Sequence, residues 1–145
     1  MDNVIIRKAT VVDCFAIAEI IKYSLGYDNS PALIKSNLET ILKNDADIVF
    51  IAEYSGQPVG VVHAENYNSL YAPPQKELMS LAVKEHYQNM GIGTELVKQV
   101  EKWAMETGRC GIRVLSQQRL ENAHKFYEHL GYEYVKIQLN FEKYF

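Results

Sequence analysis

Residues 78–107 constrain this chain more than any other segment. An apolar run, Leu78-Met79-Ser80-Leu81-Ala82-Val83, precedes the loop Gln88-Asn89-Met90-Gly91-Ile92-Gly93-Thr94. From Thr94 to Thr107, Leu96, Val97, Val100, Trp103 and Ala104 recur at helical spacings. A strand, a glycine-bearing loop and a helix start in that order make an anion cradle. Gly91 and Gly93 can take backbone angles closed to other residues, so consecutive N–H groups can turn toward one point. The helix N-terminus adds unpaired N–H groups and a partial positive charge. The segment therefore reads as a binding site for a phosphate-bearing molecule.

Spacing separates the kinds of phosphate loop. A dinucleotide-binding loop needs a third glycine, but position 96 is Leu96, and no acidic residue follows a second strand at the expected distance. A P-loop ends in Gly-Lys-Ser/Thr, which is absent. What remains is Gln88-x-x-Gly91-x-Gly93. At 145 residues the chain reads as one domain, 1–145, with a single core. Its net charge of −3 argues against a nucleic-acid partner. Two cysteines, Cys14 and Cys110, stand far apart without metal or redox spacing, as reduced thiols in a cytoplasmic protein would. Met1-Asp2-Asn3-Val4 lacks signal-peptide character, and no apolar run is long enough to span a membrane.

Periodicity gives the rest of the order. Val4 to Lys8 alternates as a strand, and Thr10 and Asp13 start a helix striped by Cys14, Ile17, Ala18, Ile21 and Leu25. After a break at Gly26 to Ser30, Ser30-Pro31 caps a helix carried by Ile34, Leu38, Ile41 and Leu42. Strands are expected at Ile48 to Glu53, Pro58 to Asn66 and Glu77 to Val83, the first two joined at Ser55-Gly56-Gln57. Beyond the long helix come a strand at Ile112 to Leu115, a helix at Glu121 to Leu130, and a closing strand or strand pair at Tyr132 to Lys143. The order βααβββαβαβ implies an α/β (α+β) fold, a mixed, mostly antiparallel sheet with helices on both faces.

Four segments resemble the GCN5-related N-acetyltransferases. They are Ile5-Ile6-Arg7-Lys8-Ala9-Thr10-x-x-Asp13, Gly56-x-x-Val59-Gly60, Leu81-x-Val83 with the loop, and Val114-Leu115-Ser116 with Arg119-x-x-x-Ala123-His124-x-Phe126-Tyr127-Glu128-x-x-Gly131-Tyr132. The resemblance covers nearly the whole chain. It implies acetyl-CoA as donor substrate, a splayed acyl-CoA cleft and transfer to an amine by direct attack. It assigns the donor to Leu81, Ala82, Val83, Gln88, Asn89, Met90, Gly91, Ile92, Gly93, Thr94, Asn122 and Tyr127. The Leu81 N–H would face the thioester oxygen, where charge develops. Glu77, four residues before Leu81 and on its face in a regular strand, matches the position of a catalytic glutamate. Tyr127 matches the tyrosine placed beside the CoA sulfur. A homodimer and a cytoplasmic location are further expectations.

Each assignment has a plainer counterpart. Leu81 and Val83 are also core side chains, Glu77 could be a solvated strand start, Tyr127 could pack on the sheet, and Asn122 could cap a helix. His86 and His124 have no catalytic or metal partner in spacing, and no metal site is expected. Trp103 reads as core, and Lys98, Lys102 and Lys125 as solvated helix faces. The acceptor is expected between Tyr23 to Asp28 and Glu65 to Tyr71. There Tyr27, Asp28, Glu65 and Tyr67 suit a cationic amine. A small amine is favoured; a protein N-terminus or lysine, a non-catalytic acyl-CoA sensor and a nucleotide-binding module remain as alternatives.

Overall fold

In the computed structural model, residues 3–145 are described. Met1 and Asp2, part of the N-terminal reading, lie outside them. By internal contacts the chain divides into two units, Met1–Val114 and Leu115–Phe145.

The first unit holds five strands and three helices. In chain order they are β1 (Val4–Lys8), α1 (Cys14–Leu25), α2 (Pro31–Leu42), β2 (Asp47–Tyr54), β3 (Gln57–Tyr67), β4 (Gln75–Val83), α3 (Ile92–Glu106) and β5 (Ile112–Val114). The sheet runs β1-β2-β3-β4-β5, antiparallel through β4 and parallel between β4 and β5. Ser55 and Gly56, both left-handed at φ 48° and 83°, close the β2–β3 hairpin as a type I′ turn requires. α2 starts where Ser30-Pro31 predicts, the Ser30 hydroxyl accepting from the Leu33 N–H at 3.2 Å.

Helices cover both faces. Ile17, Ile20 and Leu38 pack with Val49, Ile51, Val61 and Ala82 on one face. α3 buries Ile92, Leu96, Val97, Val100 and Ala104 on the other. Gly60 admits this helix, since a Cβ there would meet Leu96 Cδ1 at 3.1 Å. The Arg7…Asp13 pattern is a structural clamp. Asp13 accepts two bonds from Arg7 and one from the Thr10 N–H, all at 2.8 Å, and these hold its carboxyl below the usual range against desolvation. Arg7 also reaches Glu53 at 2.8 Å, pinning the start of α1 to the sheet.

The second unit contains α4 (Glu121–His129) and the residues after it. Here the structure departs from the sequence reading: Tyr132 to Lys143 forms no strand. Its side chains alternate as a strand's would, but a strand also needs a hydrogen-bonded neighbour, and none pairs with it among the described residues. No helix among them is long and apolar enough to cross a membrane.

Candidate functional site

The two halves of β4 differ in their pairing. All of β4 lies beside β3, but β5 pairs only with Lys76, Glu77 and Leu78. Met79 to Val83 therefore have no strand on their other side among the described residues. The Lys84 N–H donates to the Val59 carbonyl at 2.8 Å. Because alternate residues of an antiparallel strand point their backbone groups the same way, Leu81 and Val83 direct theirs to the open side and Ala82 to β3. The Val83 carbonyl there already accepts from the Gln88 amide and the Ser24 hydroxyl, each at 2.9 Å. Gln88 thus fastens the loop to the strand, and Ser24 of α1 is a participant that the sequence reading missed.

The loop partly corrects its expectation. Gly91 is left-handed at φ 83° and is the N-cap of α3, as the anion cradle requires. The second left-handed residue is Asn89, at φ 63°, not Gly93. Gly93 lies in the first turn of α3, which begins at Ile92 rather than Thr94. A glycine there places no side chain over the helix N-terminus. Gln88, Asn89, Met90 and Gly91 are exposed, and Ile92 anchors the helix in the core.

Glu77 and Leu81 would share a face only in a regular strand, and a bulge in β4 separates them. Leu81 pairs with Val62, Ser80 with His63 and Leu78 with Ala64, leaving Met79 as the extra residue. One extra residue inverts side-chain parity. Leu81 faces α3, whereas Glu77 shares the face of α1 and α2. On that face Asp47, Glu65, Glu77 and Arg113 stand in register across four strands. Glu77 pairs with Arg113 at 3.2 Å, so it is not a freely solvated residue, and Arg113 also lies 4.1 Å over the Tyr67 ring. His63 and Asp47 are 2.8 Å apart. Burial, and then the Asp47 charge, hold the Glu65 carboxyl above its usual range. Ligand atoms of Asp47, His63 and Glu65 lie within 4.8 Å of one another, a set able to hold a cation. Only Glu65, Tyr67 and Glu77 of this group were legible as site residues, because cross-strand register is what unites them.

Behind Glu77, Lys76 is 1% exposed, donates to Asn66 at 2.6 Å and lies 3.4 Å over the Trp103 ring. Trp103 is half-buried and lids this cation rather than filling the core. Tyr27 and Asp28 are exposed after α1, Asp28 being 3.8 Å from Lys22. In the second unit, Asn122 is the second residue of α4, whose N-cap is Leu120, so it has no capping role. Tyr127 is half-buried between Phe126 and Tyr132, with its phenol pushed up to about 12 by desolvation. His124 bonds the Gln117 carbonyl at 2.9 Å, His86 meets the Tyr87 ring, and Lys98 and Lys102 are exposed.

An open-edged central strand running into a backbone anion cradle defines a class of acyl-donor-binding α/β proteins. Residues 16–132 match the acetyltransferase (GNAT) family, and the chain belongs to it as an N-acetyltransferase. It is 31% identical over 131 residues to an uncharacterised N-acetyltransferase of Chlorobaculum tepidum, covering 90% of this chain and 76% of that one. Among solved structures, a transcriptional regulator from Bacillus halodurans superposes with TM-score 0.86 at 21% identity, covering 97% and 99% of the two chains. AAC(6')-Iy bound to the bisubstrate analogue CoA-S-monomethyl-acetylneamine gives 0.84 at 19%, covering 97% and 98%. These likenesses confirm the expected fold.

Proposed function

We propose that this enzyme moves the acetyl group of acetyl-CoA to a primary amine of a small, cationic acceptor. The observation that carries the proposal is the open side of Met79 to Val83, which runs directly into the left-handed turns at Asn89 and Gly91 and the start of α3. Leu81 and Val83 would hold pantetheine by strand-like hydrogen bonds. The N–H groups of the loop and of Ile92, Gly93 and Thr94 would take the pyrophosphate. Bound acetyl-CoA supplies an activated acyl carbon with a fair leaving group.

The acceptor reading rests on the carboxylates in register on the face of α1 and α2. Asp47, Glu65 and Glu77 offer negative charge and Tyr67 an aromatic wall, with Tyr27 and Asp28 assigned from sequence. AAC(6')-Iy, the neighbour caught with an acetylneamine analogue, makes a small amino sugar a reasonable class to test first. The ammonium must lose a proton before its nitrogen attacks the acyl carbon. Glu77, directly or through water, is the proposed acceptor of that proton, with Glu65 beside it. As the nitrogen attacks, charge develops on the thioester oxygen, where the Leu81 N–H would stabilise it; collapse then re-forms the carbonyl and the C–S pair leaves as thiolate.

Tyr127 enters through the motif in which it stands. With a phenol near 12 against about 8.5 for an ordinary thiol, full proton transfer to a departing thiolate is uphill. Donation of a hydrogen bond to it is the step that suits this residue.

Thermal unfolding with acetyl-CoA, ATP and NAD at equal concentration tests donor choice. Acetyl-CoA alone should raise the midpoint, by mass action. Gly93→Val should abolish that rise and leave the fold intact, and an unchanged rise would remove the loop from the site. An amine screen with thiol-release detection tests the acceptor. Turnover on peptide lysines or N-termini, with none on polyamines, amino sugars or amino acids, would overturn the small-amine reading.

A further inference from the structure

Resting on the reading of the acidic row as the acceptor site, we propose that Arg113 binds a carboxylate on the acceptor, which makes the acceptor an amino acid. Arg113 ends a row that is otherwise acidic. Asp47, Glu65 and Glu77 lie beside one another in register, and Arg113 follows on β5. Its guanidinium is fixed on two sides: Nε lies 3.2 Å from the Glu77 carboxylate, and the guanidinium carbon lies 4.1 Å from the centre of the Tyr67 ring. The side chain is only 25% exposed, and its two terminal nitrogens make no hydrogen bond among the described residues. A guanidinium held this way presents its fork of N–H donors at a set angle, which suits the two oxygens of a carboxylate.

The adjoining charges fit the rest of such a molecule. In an amino acid a single carbon separates the ammonium from the carboxylate, so the pair calls for an anionic and a cationic group side by side. β4 and β5 supply them, since neighbouring strands lie about 4.8 Å apart and Glu77 stands opposite Arg113. With the carboxylate on the terminal nitrogens of Arg113, the ammonium would reach Glu77, and Glu65 and Asp47 add negative charge beyond it. A polyamine or an amino sugar carries further cations and no anion. One of its ammonium groups would meet Arg113 as a like charge, which counts against binding.

The reaction is the transfer already proposed, and it balances with this substrate. One ammonium proton passes to the base, the nitrogen–carbon bond forms, the second proton leaves the nitrogen, and the C–S pair departs with CoA. The products are an N-acetylated amino acid, CoA thiol and one proton. The acetylated product keeps its carboxylate and loses its positive charge, so the acidic row that drew the substrate would no longer hold it.

Thiol release from acetyl-CoA by the full-length protein tests this over a panel of free amino acids, their α-carboxamides, polyamines and amino sugars. An α-carboxamide keeps the ammonium and removes the carboxylate charge, so the ratio of kcat/KM between acid and amide isolates the contact with Arg113. For the best free amino acid that ratio should be about 10–100, the worth of charge-assisted hydrogen bonds. Arg113→Met should bring the ratio to unity, chiefly through the KM of the acid, and Arg113→Lys should restore part of it. Loss of a merely structural Arg113 would slow acid and amide alike. The rise in unfolding midpoint with acetyl-CoA is the control for folding of each variant. An acid-to-amide ratio of unity in wild type overturns the inference whatever the variants do. So does an unchanged ratio in a folded Arg113→Met protein, or a higher kcat/KM on a polyamine or amino sugar than on every amino acid. Those results leave the small-amine reading standing. Turnover on no small amine at all would instead remove that reading, and the inference with it.

Discussion

The first and second halves of β4 belong to one strand and are built for different tasks. From Lys76 to Leu78 the strand has neighbours on both sides, and its charged side chains are matched: Lys76 by Asn66 and Trp103, Glu77 by Arg113. From Met79 to Val83 one side is open, and the groups of interest are backbone rather than side chain. The bulge at Met79 is the joint between them. It places Glu77 on one face and Leu81 on the other, so that the acidic row and the apolar packing of Leu81 against α3 do not compete for one surface. A ligand needing both would approach in the plane of the sheet at the open edge, where backbone groups point.

Removing the joint should have the largest effect. Deletion of Met79 would restore regular alternation, so one half of β4 must turn its side chains over. Either Leu81 and Val83 leave α3 or Lys76 and Glu77 exchange faces. Urea unfolding should find a loss of about 3 kcal/mol or more, the scale of a core truncation, and donor-induced stabilisation should disappear. Near-wild-type stability with intact donor binding would mean that the bulge is incidental.

Side-chain chemistry in the first half comes next. Glu77→Gln should slow turnover by about 10²–10⁴, most on the acidic limb of the pH profile. Glu65→Gln separates the two carboxylates. The fold holds the Glu65 carboxyl above its usual range, so it favours the protonated form. That contribution to stability is present below the ordinary value of 4.5 and is lost as pH rises through the folded value. Glu65→Gln should therefore be more stable than wild type at pH 7 and no more stable below pH 4. If Glu65→Gln abolishes activity and Glu77→Gln leaves it intact, the base is the wrong residue of the pair.

This division explains what the sequence could disclose. Local features were legible: the Ser30-Pro31 cap, the hairpin at Ser55-Gly56, Gly91 at the head of α3 and the stripe from Leu96 to Ala104 each depend on residues close in the chain. The acidic row was not, because Asp47, Glu65, Glu77 and Arg113 meet only through the register of four strands. The position of the bulge was not either, because it depends on how β3 and β4 pair. The burial of Lys76 was not legible, because nothing within a few residues announces Asn66 or Trp103. The strand expected at Tyr132 to Lys143 failed for the complementary reason: alternation specifies a surface, and pairing requires a partner.

Tyr127→Phe tests the proposed hydrogen bond from the phenol to the departing thiolate. Since the phenol would donate a hydrogen bond rather than its proton, the loss should be smaller, about 10–100-fold, with acetyl-CoA affinity little changed. Its effect need not add to that of Glu77→Gln, because in the proposed mechanism both would act on one transition state. Normal turnover with lowered stability would make the ring a packing element between Phe126 and Tyr132.

The smallest effect should come from the paired half's buried cation. Burial, and then the Arg109 charge, hold the Lys76 ammonium below its ordinary value of 10.5, so the fold favours the neutral amine. A depressed value gives stability that is present above the unfolded value and lost as pH falls through the folded one. At pH 7 the ammonium is thus a mild burden, eased by Asn66 and the Trp103 ring. Lys76→Met keeps much of the volume, removes that burden and leaves the Asn66 oxygen to find water. At pH 7 its stability should fall within about 1 kcal/mol of wild type, as for other exchanges of a buried charge for an apolar isostere. The informative quantity is the trend: between pH 8 and pH 11 wild type should gain on Lys76→Met. Acetyl-CoA binding should not change, since Lys76 faces α3 in the half of β4 outside the proposed donor contacts. A difference that stays flat with pH would mean that Lys76 keeps its ordinary proton affinity. A loss of several kcal/mol at pH 7 would mean that its bond to Asn66 holds the two strands together, and the paired half would then depend on a charge rather than tolerate one.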